Sequence, residues 1–294
     1  MENEHALPVE RRWPGIGAKI ACVGIVAGVI LRVVEMLFFF DYDAGFSTDN
    51  GLLSWISVGV ACTAALIGCL LSFKTESLGE YGPRRNVSLG CAGILSGVML
   101  LVSGALQSAD YARFLRTGVS SYDASERGVI HVIFFCMCFL FGVFQLIIGA
   151  GCFAGKDPFA KAPLLHLVGV LWGVSYLLLV YVFYAKSPSL TENIFAVAGG
   201  ACVLLGLFYQ AELVIGMNSV RAAKRMYVFG LFAVTLTITY TFSNLMLRLL
   251  GKNYVGEIHP IIQLACLGAA LFLLVFLMTF RPVSVESGRR FRKD

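Results

Sequence analysis

Arg32 and Glu35 stand three residues apart in the apolar stretch LRVVEMLFFF, a spacing that puts both side chains on one face of a helix. A charge near the middle of a bilayer costs about 2.5 to 3.5 kcal/mol even on the lenient insertion scale, so pairing lowers the cost of both. Two uses fit such a pair: a binding or translocation site, or a lock that orients the helix carrying it. Other hydrogen-bonding groups gather at the same expected depth. They are Gln107 at the end of the third apolar run, His131 at the start of the fourth, Asn244 and Arg248 in TLTITYTFSNLMLR, and His259 and Gln263 at the start of the eighth. With Arg32 and Glu35 these are expected to line a polar cavity opening outward beneath the loop DYDAGFSTDNG, a place for recognising a small solute or ion. The serines and threonines of TLTITYTFSNLMLR are each expected to bond back to carbonyls of their own helix. Glu212, in FYQAELVIGM, is expected as a further buried charge and a candidate proton-coupling carboxylate, with Arg221, Lys224 and Arg225 placed to neutralise it.

Bond-making chemistry has no comparable footing. The chain contains no GxSxG, HExxH, Walker loop or GxGxxG, so no catalytic residue is assigned and an enzyme is not expected. The loop DYDAGFSTDNG opens like a calcium loop with Asp41, Asp43 and Asp49, then puts Phe46 where the sharp-turn glycine belongs and Leu52 where the bidentate glutamate belongs. It reads as a turn. Cys136 and Cys138 point to different helix faces, and all nine cysteines fall inside apolar runs, where they read as small packing residues. His131 and His259 hold matched places and raise haem or metal ligation, but a ligating histidine needs an orienting partner that the sequence does not identify. No metal and no cofactor is assigned.

The elements that must position these groups follow from composition. Of the 294 residues 58% are hydrophobic and only 14% charged, and mean hydropathy is +0.79, values that argue against a soluble fold. Eight apolar runs are long enough to cross about 30 Å of hydrocarbon as helices: 16–40, 52–73, 88–108, 129–153, 164–184, 194–216, 226–249 and 259–280. The expected fold is an all-α polytopic bundle forming a single integral membrane domain over 1–294. The first run is too long, and too interrupted by Arg32 and Glu35, to be a cleaved signal peptide, so it is read as a retained helix. With the N-terminus inside, 16 of the 23 Lys and Arg fall on cytoplasmic segments, six fall outside, and Arg32 lies within a span. Both termini are therefore expected in the cytoplasm. The net charge of +5 is absorbed by orientation and by anionic lipid at the inner face, so no nucleic acid partner is expected.

The segment VIHVIFFCMCFLFGVFQL (129–146) aligns without gaps to EIHPIIQLACLGAALFLL (257–274), matching His131 with His259 and Cys138 with Cys266. A weaker match pairs FSTDNGLL with SLTENIFA. Both fit a four-plus-four duplication with halves 16–155 and 160–282 in parallel orientation. GxxxG spacings at Gly24/Gly28, Gly93/Gly97 and Gly169/Gly173 predict close helix contacts.

The stretch RVVEMLFFFDYDAGF, a buried Arg and Glu before an aromatic run and an Asp-x-x-x-Gly-Phe loop, resembles uncharacterised multipass membrane proteins of anaerobic Gram-positive bacteria. That resemblance implies a bacterial plasma membrane and no particular activity. The eight-helix, two-half layout also resembles haem A synthase, whose further helix histidines have no counterpart in the second and sixth runs here. The expected partners are the lipid bilayer and either a small solute or another membrane subunit. A transporter or sensor is the leading expectation, a structural or assembly subunit the second, and a membrane redox protein the third.

Overall fold

A computed structural model describes residues 13–41, 46–49, 51–73, 85–120, 128–184, 191–216, 219–251 and 258–279. Eight helices long and apolar enough to span a membrane account for nearly all of them. They are α1 (Trp13–Phe38), α2 (Leu52–Phe73), α3 (Val87–Thr117), α4 (Gly128–Ala154), α5 (Val168–Leu179), α6 (Thr191–Ile215), α7 (Ser219–Leu249) and α8 (Pro260–Thr279). A 3-10 turn at Pro163–Leu167 leads into α5 and a π-helical turn at Val180–Tyr184 ends it, and α5 reaches span length only with them, as Pro163–Phe183. A two-residue hairpin pairs Phe40 with Ser47 and Asp41 with Phe46 between α1 and α2. Asp43 and Gly45 of that loop lie outside the described residues.

Two helices outrun their apolar stretches. α3 continues nine residues beyond 108, because Asp110 and Arg113 pair three residues apart and keep the helix going past the end of its hydrophobic run. Gly118, at φ 70°, then closes it, donating its backbone N–H to the Phe114 carbonyl. α7 begins at Ser219, seven residues before the apolar run, and its first turns carry Arg221, Lys224 and Arg225.

The pairs α1/α2, α3/α4 and α6/α7 run antiparallel and pack closely where glycine permits. A Cβ on Gly17 would stand 2.7 Å from the Gly68 carbonyl oxygen, which fixes α1 against α2. On α3, a Cβ at Gly97 would stand 2.8 Å from the Gly142 oxygen of α4, and one at Gly93 would stand 3.0 Å from Gly149 Cα. Lipid gives helices no hydrophobic reason to associate, so such backbone contact supplies dispersion that longer side chains would prevent. α7 and α8 occupy the centre: 78% and 67% of their span-length windows are buried, against 39% for α1, α2, α4 and α5. The outward faces of those peripheral helices carry exposed Val23, Leu66, Leu140 and Leu171, the apolar surface a bilayer covers.

Candidate functional site

Arg32 and Glu35 form the expected pair, Nη1 to Oε2 at 2.8 Å, with side chains 6% and 1% exposed. Arg32 also donates to the hydroxyl of Ser54 on α2. Ser47, in the hairpin, donates to Glu35 Oε1 at 3.4 Å. The charges thus join α1, α2 and the hairpin through bonds among themselves. Asp49 serves as a cap for α2, its carboxylate accepting the N–H of Gly51 at 3.0 Å and of Leu53 at 2.9 Å. The bond from Ser47, chiefly, holds its carboxyl below the usual carboxylate range.

The other expected groups fall into separate clusters at the same end of the bundle. Asn244 on α7 donates to Gln263 Oε1 on α8 at 3.2 Å, and Gln263 donates to the Ile258 carbonyl at 2.9 Å and to the Tyr240 hydroxyl at 3.5 Å. Gln107 donates to Ser103 at 2.9 Å, and Ser103 to the Ile261 carbonyl at 2.7 Å, which ties α3 to α8. Arg248 is exposed. It acts on His259, whose Nδ1 accepts the Ile261 N–H at 3.3 Å. Burial first and Arg248 second push the His259 imidazole down to about 4, against the opposing pull of Asp110. His131, the matched histidine of α4, has other surroundings: it is buried against the Phe183 ring of the π turn, with centroids 4.5 Å apart. Along α7, Thr235, Thr241 and Ser243 bond back to carbonyls of their own helix.

Asp110 belongs to this end and sequence reasoning passed over it. Its buried carboxylate takes Arg113 at 2.6 Å and Ser120 at 2.8 Å. The signal was its spacing to Arg113, hidden because both follow the last apolar window. Glu212, expected as a buried charge, is half-buried on α6 while Ala211 and Leu213 beside it are buried, because the α6 face that carries it turns away from the core.

The opposite end holds a crevice that no sequence reading singled out. Two small open clefts, of about 30 Å³ and 20 Å³, share Ile148, His166, Gln210, Val214 and Phe272 in their linings. Its polar wall is Gln145 of α4, Gln210 of α6, and Asp157 and His166 from the α4–α5 connection. Phe144 and Phe159 stack with centroids 4.6 Å apart, and the His166 ring stands edge-on to both. Asp157 accepts the Phe159 N–H at 2.9 Å, which shapes the turn, and lies 3.4 Å from His166 Nε2. Gln145 is 1% exposed, and its Oε1 has no hydrogen-bond partner among the described residues. A buried acceptor left unmet costs about 1 to 3 kcal/mol, and Gln107 Oε1 at the other end shares that condition among the described residues.

Comparison with protein-family models, with curated proteins and with solved structures gives no match. The functional reading therefore stands on the geometry.

Proposed function

We propose that this multipass protein is a carrier for a small polar solute in a bacterial plasma membrane, with both termini cytoplasmic. The excess of Lys and Arg on the connections at the His166 end supports that orientation and makes the crevice the cytoplasmic opening. The observation that carries the reading is the crevice itself, which enters the bundle and reaches Gln145, a polar side chain 1% exposed with an unmet acceptor. Beyond it the core is apolar around Trp172, Tyr176 and Phe141, and then polar again at Asn244, Gln263 and Gln107. A path with a polar group at each end and a packed centre suits a carrier that opens to one side at a time.

The self-contained bonding of Arg32, Glu35 and Ser54 favours a different role for that cluster, that of joining α1 to α2. A structural subunit made only of such locks is the second reading.

Single cysteines at positions 35, 48 and 145, in a variant with the nine native cysteines replaced, separate the two. A membrane-impermeant thiol reagent is expected to label 145 in inside-out vesicles and 48 in intact cells, with 35 protected from both sides. Protection of 145 in both preparations, alongside labelling of 48, would overturn the carrier reading.

A further inference from the structure

Two buried polar atoms at the crevice lack a hydrogen-bond partner among the described residues: Oε1 of Gln145 and Nε2 of His166. Gln145 is 1% exposed, and the His166 side chain 9%. Nε2 faces Asp157 Oδ1 at 3.4 Å, longer than an ordinary N–H···O bond. His166 and Gln210 border both clefts, Gln145 borders the smaller and Asp157 the larger.

Room and chemistry together select the occupant. Clefts of about 30 Å³ and 20 Å³ exclude an organic solute, whereas one water needs only about 10 to 15 Å³ of such room. The two clefts together therefore admit about three waters. Their polar lining offers donors as well as acceptors: each glutamine amide carries both, a neutral imidazole has one of each, and the Asp157 carboxylate accepts only. A bare cation would meet the N–H groups and a bare anion the Asp157 charge, but a water can turn to suit either. A buried water typically makes about three hydrogen bonds, and three polar side chains, Gln145, His166 and Gln210, border the smaller cleft.

We infer that the crevice is a hydration site, holding about three ordered waters that satisfy Gln145 and His166 and link α4, α6 and the α4–α5 connection. The inference does not depend on the carrier reading. In a carrier these waters fill the cytoplasmic opening while it is narrow and give way when it widens.

X-ray irradiation makes hydroxyl radicals in place from bound water, and these oxidise the side chains that touch it, a signal read by mass spectrometry on the full chain in detergent. Phe141 and Phe272 are each 1% exposed and border the smaller cleft, while Phe134, 0% exposed, borders neither. Phe141 and Phe272 are expected to oxidise several-fold faster than Phe134. Gln145→Leu, which removes the amide and keeps the bulk, should abolish oxidation of Phe141, which borders only the smaller cleft, and spare that of Phe276, which borders only the larger. Phe141 and Phe272 as inert as Phe134, while exposed Phe38 is oxidised, would overturn the inference. Undiminished oxidation of Phe141 in a folded Gln145→Leu variant would overturn it too. Unfolding of that variant would show as oxidation of Phe134, and the wild-type contrast then decides alone. Thiol access at position 145 keeps the two readings apart: protection there with Phe141 oxidised in the wild type removes the carrier and leaves the waters, while labelling there with Phe141 inert removes only the waters.

Discussion

Replacing Glu35 by glutamine leaves the Arg32 guanidinium buried with its counter-charge gone, and the structure sets the scale of the loss. The two groups stand 2.8 Å apart with side chains 6% and 1% exposed. At an effective dielectric of about 20 their attraction amounts to about 6 kcal/mol, most of it offset by the cost of taking both from water. Removing one partner forfeits the attraction and keeps the other's desolvation, so Glu35→Gln is expected to cost about 3 to 5 kcal/mol. The reverse change should cost less. In Arg32→Met the remaining carboxylate can take a proton and become neutral, whereas a guanidinium cannot shed one within a protein. Arg32→Met combined with Glu35→Leu replaces the pair by apolar groups of similar size and should lie close to wild type. Reversible unfolding in mixed micelles of Arg32→Met, Glu35→Leu and their combination, read as a double-mutant cycle, gives the coupling directly. A coupling below about 1 kcal/mol, or a larger loss from Arg32→Met than from Glu35→Gln, would refute the reasoning, since surface-like pairs fall in that range. The double variant also bears on function: a stable double variant that still takes up solute assigns the pair to α1–α2 assembly.

Gly97→Ala should destabilise the bundle by about 1 to 3 kcal/mol, since its Cβ would stand 2.8 Å from the Gly142 carbonyl oxygen and the two backbones would have to part. Gly59→Ala, where a Cβ meets nothing within 4 Å, should be neutral or stabilise by up to about 1 kcal/mol, and comparing unfolding midpoints of the two variants checks the contrast. His259 sets a pH dependence. Its imidazole is pushed down to about 4, so between the ordinary histidine value and about 4 the unfolded chain binds a proton that the folded chain does not. Stability should therefore be at its full value above about 6.5, fall as pH falls toward about 4, and level off below that. His259→Asn should flatten that part of the midpoint-against-pH curve, and an unchanged slope would show that other groups titrate there.

The spans were legible because hydrocarbon thickness leaves a long apolar run few alternatives, and the Arg32–Glu35 pair was legible because its geometry is local to one helix. What a run of hydropathy could not locate was the end of α3, where an Asp110–Arg113 pair continues a helix that lipid no longer requires. Glu212 was misplaced for a related reason: whether a residue of α6 is buried depends on which face meets α7, and that is decided by partners far away in sequence. The crevice was the least legible part. Gln145, Asp157, His166 and Gln210 come from two helices and a connection, one or two polar groups each, and no periodicity links them. A single amide in the midst of FFCMCFLFGVFQLIIG was the one signal available, and it gained meaning only when a cleft appeared beside it.

Polar groups in this bundle divide by whether the fold uses them. Asn244 and Gln263 bond to each other across α7 and α8, Gln107 and Ser103 tie α3 to α8, and Arg32 with Glu35 and Ser54 ties α1 to α2. Each of these helix contacts in lipid gains roughly 0.6 to 2 kcal/mol from such a bond, which is sufficient reason for the residues to be there. Gln145 and Gln107 each keep a buried Oε1 without a partner among the described residues, but Gln107 also donates to Ser103. By that reasoning the charged pair that draws the eye in the sequence belongs to assembly.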